Sequence, residues 1–382
     1  MTSLRLPGRI LNFKRLLALI LFVSSCVFIP TARAQDLDKP IQNIDEEITA
    51  FSFATDGRIA YSVRHNIKTK KYDLQHDDIW IQDTNGKRRR LLQGDKFTRG
   101  DQPFSYAVDS FHWSPNGRLL LAQLFTASVD EGGRTEDSFT ALAFEESGKE
   151  IHFGKGENLI KDCFNPTWLQ DNSTIVYLTE EIKPRMLFSF HYSNIATGPA
   201  GPAFEGRTFI DSYRIPRTNA AIAIEQDRTQ SGPPRLQRLE LLAQDDKEIA
   251  TLDGYAGGLS VSPSGEKVAY FIDREVLEVR NLALPNYFVR LRVGLGVFHW
   301  SPDENRIMLK RSVERKSGDL VWITIPALTA QKSGKDIPVL TPTPQPIFHG
   351  LSFREFAISP DGRFLAVVLP GKRNLEIFPL PI

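Results

Sequence analysis

Apolar residues in this chain come mostly in short runs, each released from a polar turn. The clearest run is Phe364-Leu365-Ala366-Val367-Val368, which follows Ser359-Pro360-Asp361-Gly362-Arg363. Pro360 presets the backbone angle of the first central turn position, Asp361 favours the second, and Gly362 accepts the positive φ that closes the turn. A β-branched apolar run directly after such a turn predicts a strand buried on both faces. The pattern recurs in Ala54 to Tyr61, Trp113 to Leu121, Trp168 to Tyr177, Val261 to Tyr270 and Trp300 to Leu309, with a degenerate copy in Tyr213 to Ile224 that keeps a proline and loses the glycine. The turns follow one another at roughly 60, 55, 46, 47, 39 and 58 residues. Such intervals suit one four-stranded unit plus loops and are too short for independent domains.

Within the first unit, Ile79-Trp80-Ile81 reads as a third strand, Asn85-Gly86 as a type I′ turn and Arg90-Leu91-Leu92 as the start of a fourth strand. The last unit reaches Ile382 one strand short, whereas Pro40 to Asp45 belong to no other unit. That segment is predicted to complete the final unit, closing a ring and removing an exposed sheet edge.

Composition adds an address. Arg5, Arg9, Lys14 and Arg15 precede an apolar run from Leu16 to Ile29, and Ala32-Arg33-Ala34 offers the small residues of a cleavage site. Roughly 14 apolar residues fall short of the ~20 that span a bilayer. Residues 1–34 are therefore predicted to be a signal peptide and residues 35–382 a single domain, periplasmic or secreted, with no stable transmembrane segment after cleavage. Lipid anchoring at Cys26, in Val23-Ser24-Ser25-Cys26, is the alternative. The whole chain carries 47 basic and 46 acidic residues. The first 34 hold five basic residues and no acidic one, so the remainder carries about −4. Mild acidity argues against nucleic acid as a partner. Cleavage leaves Cys163 alone, so stability has to come from apolar burial rather than a disulfide.

The repeated Ser-Pro-Asp-Gly-Arg turn, led by an aromatic or apolar residue and followed by an aliphatic strand, resembles the repeat of TolB-type, WD40-like propellers. The resemblance spans about Ile41 to Ile382. It implies a seven-bladed β-propeller, with six or eight blades as the neighbouring counts, closed by an amino-terminal strand in the last blade. It leaves no room between Gln35 and Phe51 for the separate amino-terminal domain of TolB, and no hydrolase domain of the propeller-bearing peptidases follows. No functional residue of either family is carried over.

Candidate chemistry is sparse. No Gly-x-Ser-x-Gly elbow, Cys-x-x-Cys or His-Glu-x-x-His occurs, and no cofactor is predicted. Asp73, His76, Asp77 and Asp78 are the densest group of metal-ligand types, yet solvated turns collect the same residues. His112-Trp113 and His299-Trp300 hold equivalent repeat positions and read as scaffold. Strand alternation puts each histidine opposite its tryptophan. Lys87-Arg88-Arg89-Arg90 reads as a solvated sheet edge.

The resemblance also implies that connections from second to third strand, and from blade to blade, share the face opposite the Ser-Pro-Asp-Gly turns. The long ones there group into a sector offering Lys70, Lys71, Phe97, Arg99, Phe104, Tyr106, Phe348 and His349. Aromatics rimmed by charge suit a contact surface. The expectation is an exported propeller that binds or scaffolds a protein or envelope component without catalysis. An enzyme or small-molecule binder using the central channel is the alternative.

Overall fold

The computed structural model describes residues 39–380, apart from 69, 71–72, 97–103, 130–134, 156–157, 183–186, 228, 230, 314–316, 332–336, 349–354 and 370. The described residues form strands joined by turns, with one short 3-10 helix at Gly94–Lys96. Residues 1–34, and with them the proposed signal, lie outside the description.

Each sequence repeat places its turn between the two inner strands of a sheet. The first set runs Ile48–Phe53, Ile59–Val63, Asp78–Gln82 and Arg88–Leu92, in that spatial order. Sets beginning at Phe104–Trp113, Gly257–Val261, Gly296–Trp300 and Glu355–Ile358 are built alike. The sets beginning at Phe164–Trp168 and Phe209–Arg214 share one larger sheet, joined by the single pair Phe188 and Phe209. The chain is an all-β propeller. Six of the inner turns share two backbone bonds, as where Gly362 N–H donates to Ser359 O at 2.8 Å and Ser359 N–H to Phe364 O at 2.9 Å, with Gly362 at φ 75°; the first turn closes one residue sooner, Ala54 N–H donating to Arg58 O at 2.8 Å. Asn85-Gly86 departs from the type I′ expectation, because only Gly86 takes a positive φ and Gly86 N–H donates to Asp83 O. It repeats the geometry of the first inner turn, Asp83 N–H donating to Lys87 O as Ala54 N–H does to Arg58 O.

The ring closes as predicted. Gln42–Ile44 pairs antiparallel with the strand Leu375–Pro379, matching Gln42 with Ile377 and Ile44 with Leu375. Ile44, Ile48 and Tyr61 are fully buried and pack with Ala366, Val368 and Leu375, so the core is continuous across the seam. Equivalent layers lie between the other sheets; Ile79 and Ile81 of the first set meet Tyr106, Phe111 and Leu120 of the second. Lys87 to Arg90 lie on or beside an outer strand, exposed, as expected of a charged edge.

Thr329–Ala330 and Val339–Leu340 pair with Tyr287–Arg292, one antiparallel and one parallel, and cover the outer edge of the fifth set. The chain then returns to pair Gln345–Phe348 with Ser317–Thr324.

Two outcomes are expected from the closure. Ile44→Ala should destabilise the protein by about 3 kcal/mol in urea unfolding, the usual effect of a truncated core aliphatic. Deleting residues through Asp45 should lower the melting temperature by many degrees, read by circular dichroism.

Candidate functional site

Of the sector residues, Lys70 is exposed, whereas Lys71, Phe97, Arg99 and His349 lie outside the described residues. Phe104, Tyr106 and Phe348 are 5%, 1% and 9% exposed, so they are interior packing residues rather than rim aromatics. The reason is alternation: a strand, not a loop, begins at Phe104, and Phe104, Tyr106 and Val108 all point inward. The Tyr106 ring stacks on His76 at 5.2 Å, and its hydroxyl donates to Asp77 O at 2.7 Å. Phe348 meets Phe378 edge to face at 5.2 Å.

The acidic group near Asp77 is a latch between the first two sets. Asp77 is fully buried and accepts from Thr49 Oγ1 at 2.8 Å, Val108 N–H at 2.9 Å and Gln75 Nε2 at 3.0 Å. Burial pushes its pKa up, against the pull of those donors. His76 places its two ring nitrogens 3.1 and 2.6 Å from Gly94 O and Phe104 O, and Asp78 accepts from Gly94 N–H. These contacts are what gather the group, and they tie strand ends together.

The side chains facing the ring axis form the most distinctive arrangement. Two residues before each inner turn stand Ser52, His112, Thr167, Tyr213, Ser260, His299 and Ala357. All are at least partly open, whereas the residues next to them toward the chain start are mostly buried. All but Ala357 are polar. The tryptophans point the other way, into the space between sheets: Trp168 Nε1–H donates to His112 O at 3.1 Å and Trp113 Nε1–H to Ser52 O at 3.4 Å. His112 and Ser110 Oγ are 2.9 Å apart, and the His299 ring meets Phe356 edge to face at 4.8 Å. Desolvation lowers both histidines to about 4, so they are neutral at neutral pH. Tyr213 is 41% exposed, and desolvation raises its phenol against the pull of a hydrogen bond with Ser260.

Farther from the turns, the second to fourth inner strands add Asp109, Asn165 and Asp211. Gln123 Nε2 donates to Asp109 at 3.1 Å, the Tyr255 hydroxyl donates to Asp211, and Asn165 Nδ2 donates to Ser212 O at 2.7 Å. Burial raises both carboxyls. This arc can offer hydrogen bonds of both senses at the axis. Its members were missed because Asp109, Asn165 and Asp211 belong to no motif; counting back from each turn at period two would have gathered most of the ring.

On the face opposite the turns, long strands extend past the sheets. Leu119–Val129 pairs with Thr135–Glu145 over its whole length. Phe125 and Phe139 sit opposite each other there with ring centres 5.5 Å apart. Phe139 meets Phe164 at 5.3 Å, and Phe164 stacks on Phe188 at 4.8 Å. This ladder of four rings links the second and third sets, and Phe125 at its end is 40% exposed.

Fold and site together define a β-propeller with a polar axis and an aromatic ladder on one face. No protein-family model matches the chain, and no curated protein does. Solved structures share the fold. A chain of the crystallised mitotic checkpoint complex superposes with a TM-score of 0.55 at 14% identity, covering 98% of this chain and 100% of that one. The β-propeller domain of Cps50 (Swd1) from Myceliophteria thermophila gives 0.54 at 11%, covering 89% and 100%. TolB from Acinetobacter baumannii gives 0.42 at 14%, covering 71% and 61%.

The buried groups make two checks. Asp77→Ala leaves Val108 N–H and the Thr49 and Gln75 donors without their acceptor, and should cost about 3 kcal/mol in urea unfolding. His112 and His299 titrate near 4 when folded and near 6.5 when unfolded, so the unfolded chain binds more protons between those values. The stability they provide is present above about pH 6.5 and lost toward pH 4, at most roughly 3 kcal/mol per ring. The variant His112→Gln/His299→Gln should show a flatter acid limb in urea midpoints measured from pH 7 to 4.

Proposed function

We propose that this chain is an exported, seven-bladed propeller that serves as a non-catalytic binding platform for a protein or envelope component. The observation that carries the proposal is Phe125: a half-open aromatic ring held on a rigid ladder of three further rings, on the face where long hairpins extend. Aromatic anchors on a preorganised frame dominate many interfaces, because little ordering is lost on binding. Lys70 adds an exposed charge on the loops of the first set. Lys71, Phe97, Arg99 and His349 belong to the same proposed sector. The mitotic checkpoint structure supports the proposal by analogy of fold, since that propeller chain is part of a multiprotein complex.

Capture by crosslinking from intact cells tests it. A specific partner is expected, and Phe125→Ala is expected to reduce its recovery at least about tenfold, as loss of a hot-spot ring does. No specific partner, or recovery unchanged by Phe125→Ala together with Lys70→Glu, would reject the platform. Export is tested separately: amino-terminal sequencing of the mature protein should begin at Gln35.

The polar axis favours a second function, binding of a small polar molecule in the channel by Asp109, Asp211, His112 and Tyr213. Its signature is a ligand-induced thermal shift that Asp211→Asn abolishes and Phe125→Ala leaves intact.

A further inference from the structure

On the turn face, consecutive inner turns are joined around the ring. The Arg58 guanidinium donates to Gly117 O at 2.6 Å, Asn116 N–H to Asn172 Oδ1 at 2.9 Å, and Gln170 N–H to Asn219 Oδ1 at 2.8 Å. Gly265 lies so close to Ile215 that a Cβ would sit 2.8 Å from its methyl group. The Ser264 hydroxyl donates to Glu304 at 2.9 Å, and Gly362 abuts the Pro302 ring. The junction between the last turn and the first differs. There a cleft of about 370 Å³ separates Ser359, Pro360 and Asp361 from Thr55, Asp56 and Gly57.

The cleft has an apolar floor and an acidic rim. Phe53, Phe364, Ile59 and Ile377 supply apolar surface, and the ionisable lining residues are Asp56, Asp83, Asp361 and Arg363. Three carboxylates and one guanidinium leave the lining negative. Asp361 is paired with Arg363 at 2.6 Å and Asp56 with Arg58 at 2.8 Å. The Asp83 carboxylate has neither a hydrogen bond nor an ion pair among the described residues.

A second observation is independent of the charge. Gln82 lines the cleft and is only 3% exposed. Its Oε1 accepts from Arg88 Nε at 3.2 Å. A guanidinium only donates, so this contact fixes the amide orientation. Gln82 Nε2 is thereby left as a donor with no acceptor among the described residues. That amide nitrogen faces the cleft, where an acceptor on whatever fills it can take its hydrogen bond.

We propose that this seam cleft binds an extended peptide segment of a partner protein that carries a lysine or arginine. The cationic head meets Asp83 and the carboxylates beside it, the aliphatic stem lies on Phe53 and Phe364, and a peptide carbonyl accepts from Gln82 Nε2. The volume is within the range of sites that hold small ligands. The cleft lies on the face opposite the Phe125 hairpin and stands whether or not that hairpin contacts a partner.

Calorimetric titration of the purified protein with the capped pentapeptide Ala-Leu-Lys-Leu-Ala, and with its glutamate counterpart, tests the site. The lysine peptide is expected to bind with Kd of about 1 mM or tighter, and the glutamate peptide at least about tenfold more weakly. Asp83→Asn, on an exposed turn, and Gln82→Leu should each weaken the lysine peptide about fivefold or more, with Asp83→Asn keeping the wild-type urea midpoint. Absence of lysine-peptide binding, equal binding of the glutamate peptide, or unchanged affinity in Asp83→Asn would overturn the proposal.

Discussion

Each set of strands around the ring hangs on one backbone hydrogen bond, from the fourth residue of an inner turn to the carbonyl of the first. It is found between Gly57 and Ala54, between Glu304 and Ser301, and at each repeat between them in the chain. Strand side chains alternate with period two, so a turn one residue longer would swap the faces of the strand beyond it. The same bond therefore decides that His112 looks to the axis and Trp113 to the neighbouring sheet. The geometry needs a left-handed residue, which glycine supplies without strain at Gly57, Gly117, Gly265 and Gly362. Glu304 occupies that conformation at φ 58°, at a cost of about 1 kcal/mol for a side-chain-bearing residue. Its carboxylate offsets the strain by accepting from Ser264 of the preceding turn.

Polar groups in the interior are placed where sheets meet. Asp77 holds the first two inner strands together through three donors. Glu278, 1% exposed, sits under the outer edge of the fifth set, paired with Arg280 and with Arg290 at 2.9 Å, and receives the Tyr270 hydroxyl. Arg280 also lies over the Phe288 ring at 4.1 Å. The segment bearing Gln331 runs along this edge, and Gln331 Nε2 donates to Phe288 O at 3.0 Å. A charge buried in such company holds its surroundings to one arrangement, because displacing any partner strands another in a medium that solvates it poorly.

How much of this could be read beforehand depended on whether the signal was local. The turn chemistry around Gly362 and the aliphatic run behind it are local, and they gave the strands, their faces and the closure by Gln42–Ile44. The left-handed role of Glu304 is local in position but not in cause, since it depends on Ser264, forty residues away. Phe104 and Tyr106 showed the alternation that buries them, but the charge nearby made the stretch look like a loop. Thr329–Ala330 and Val339–Leu340 are too short and too exposed to signal strands; only the open edge of Tyr287–Arg292 makes them so. The polar axis could not be read from any one repeat, because it exists only when seven equivalent positions are brought together. The cleft at the seam arises likewise from two turns at opposite ends of the chain.

The closing strand sets the order in which the molecule can be completed. Residues 42–44 are synthesised more than 330 residues before their partner, residues 375–377. Sheets in the middle of the chain form from neighbours in sequence and can accumulate one after another as the chain lengthens. The final sheet cannot, since its outer strand was made some 330 residues earlier. Until that pairing forms, the strand Leu375–Pro379 presents an unpaired edge and the short amino-terminal strand has no sheet to join. Ring closure is thus the most non-local step, the one that waits on the longest loop.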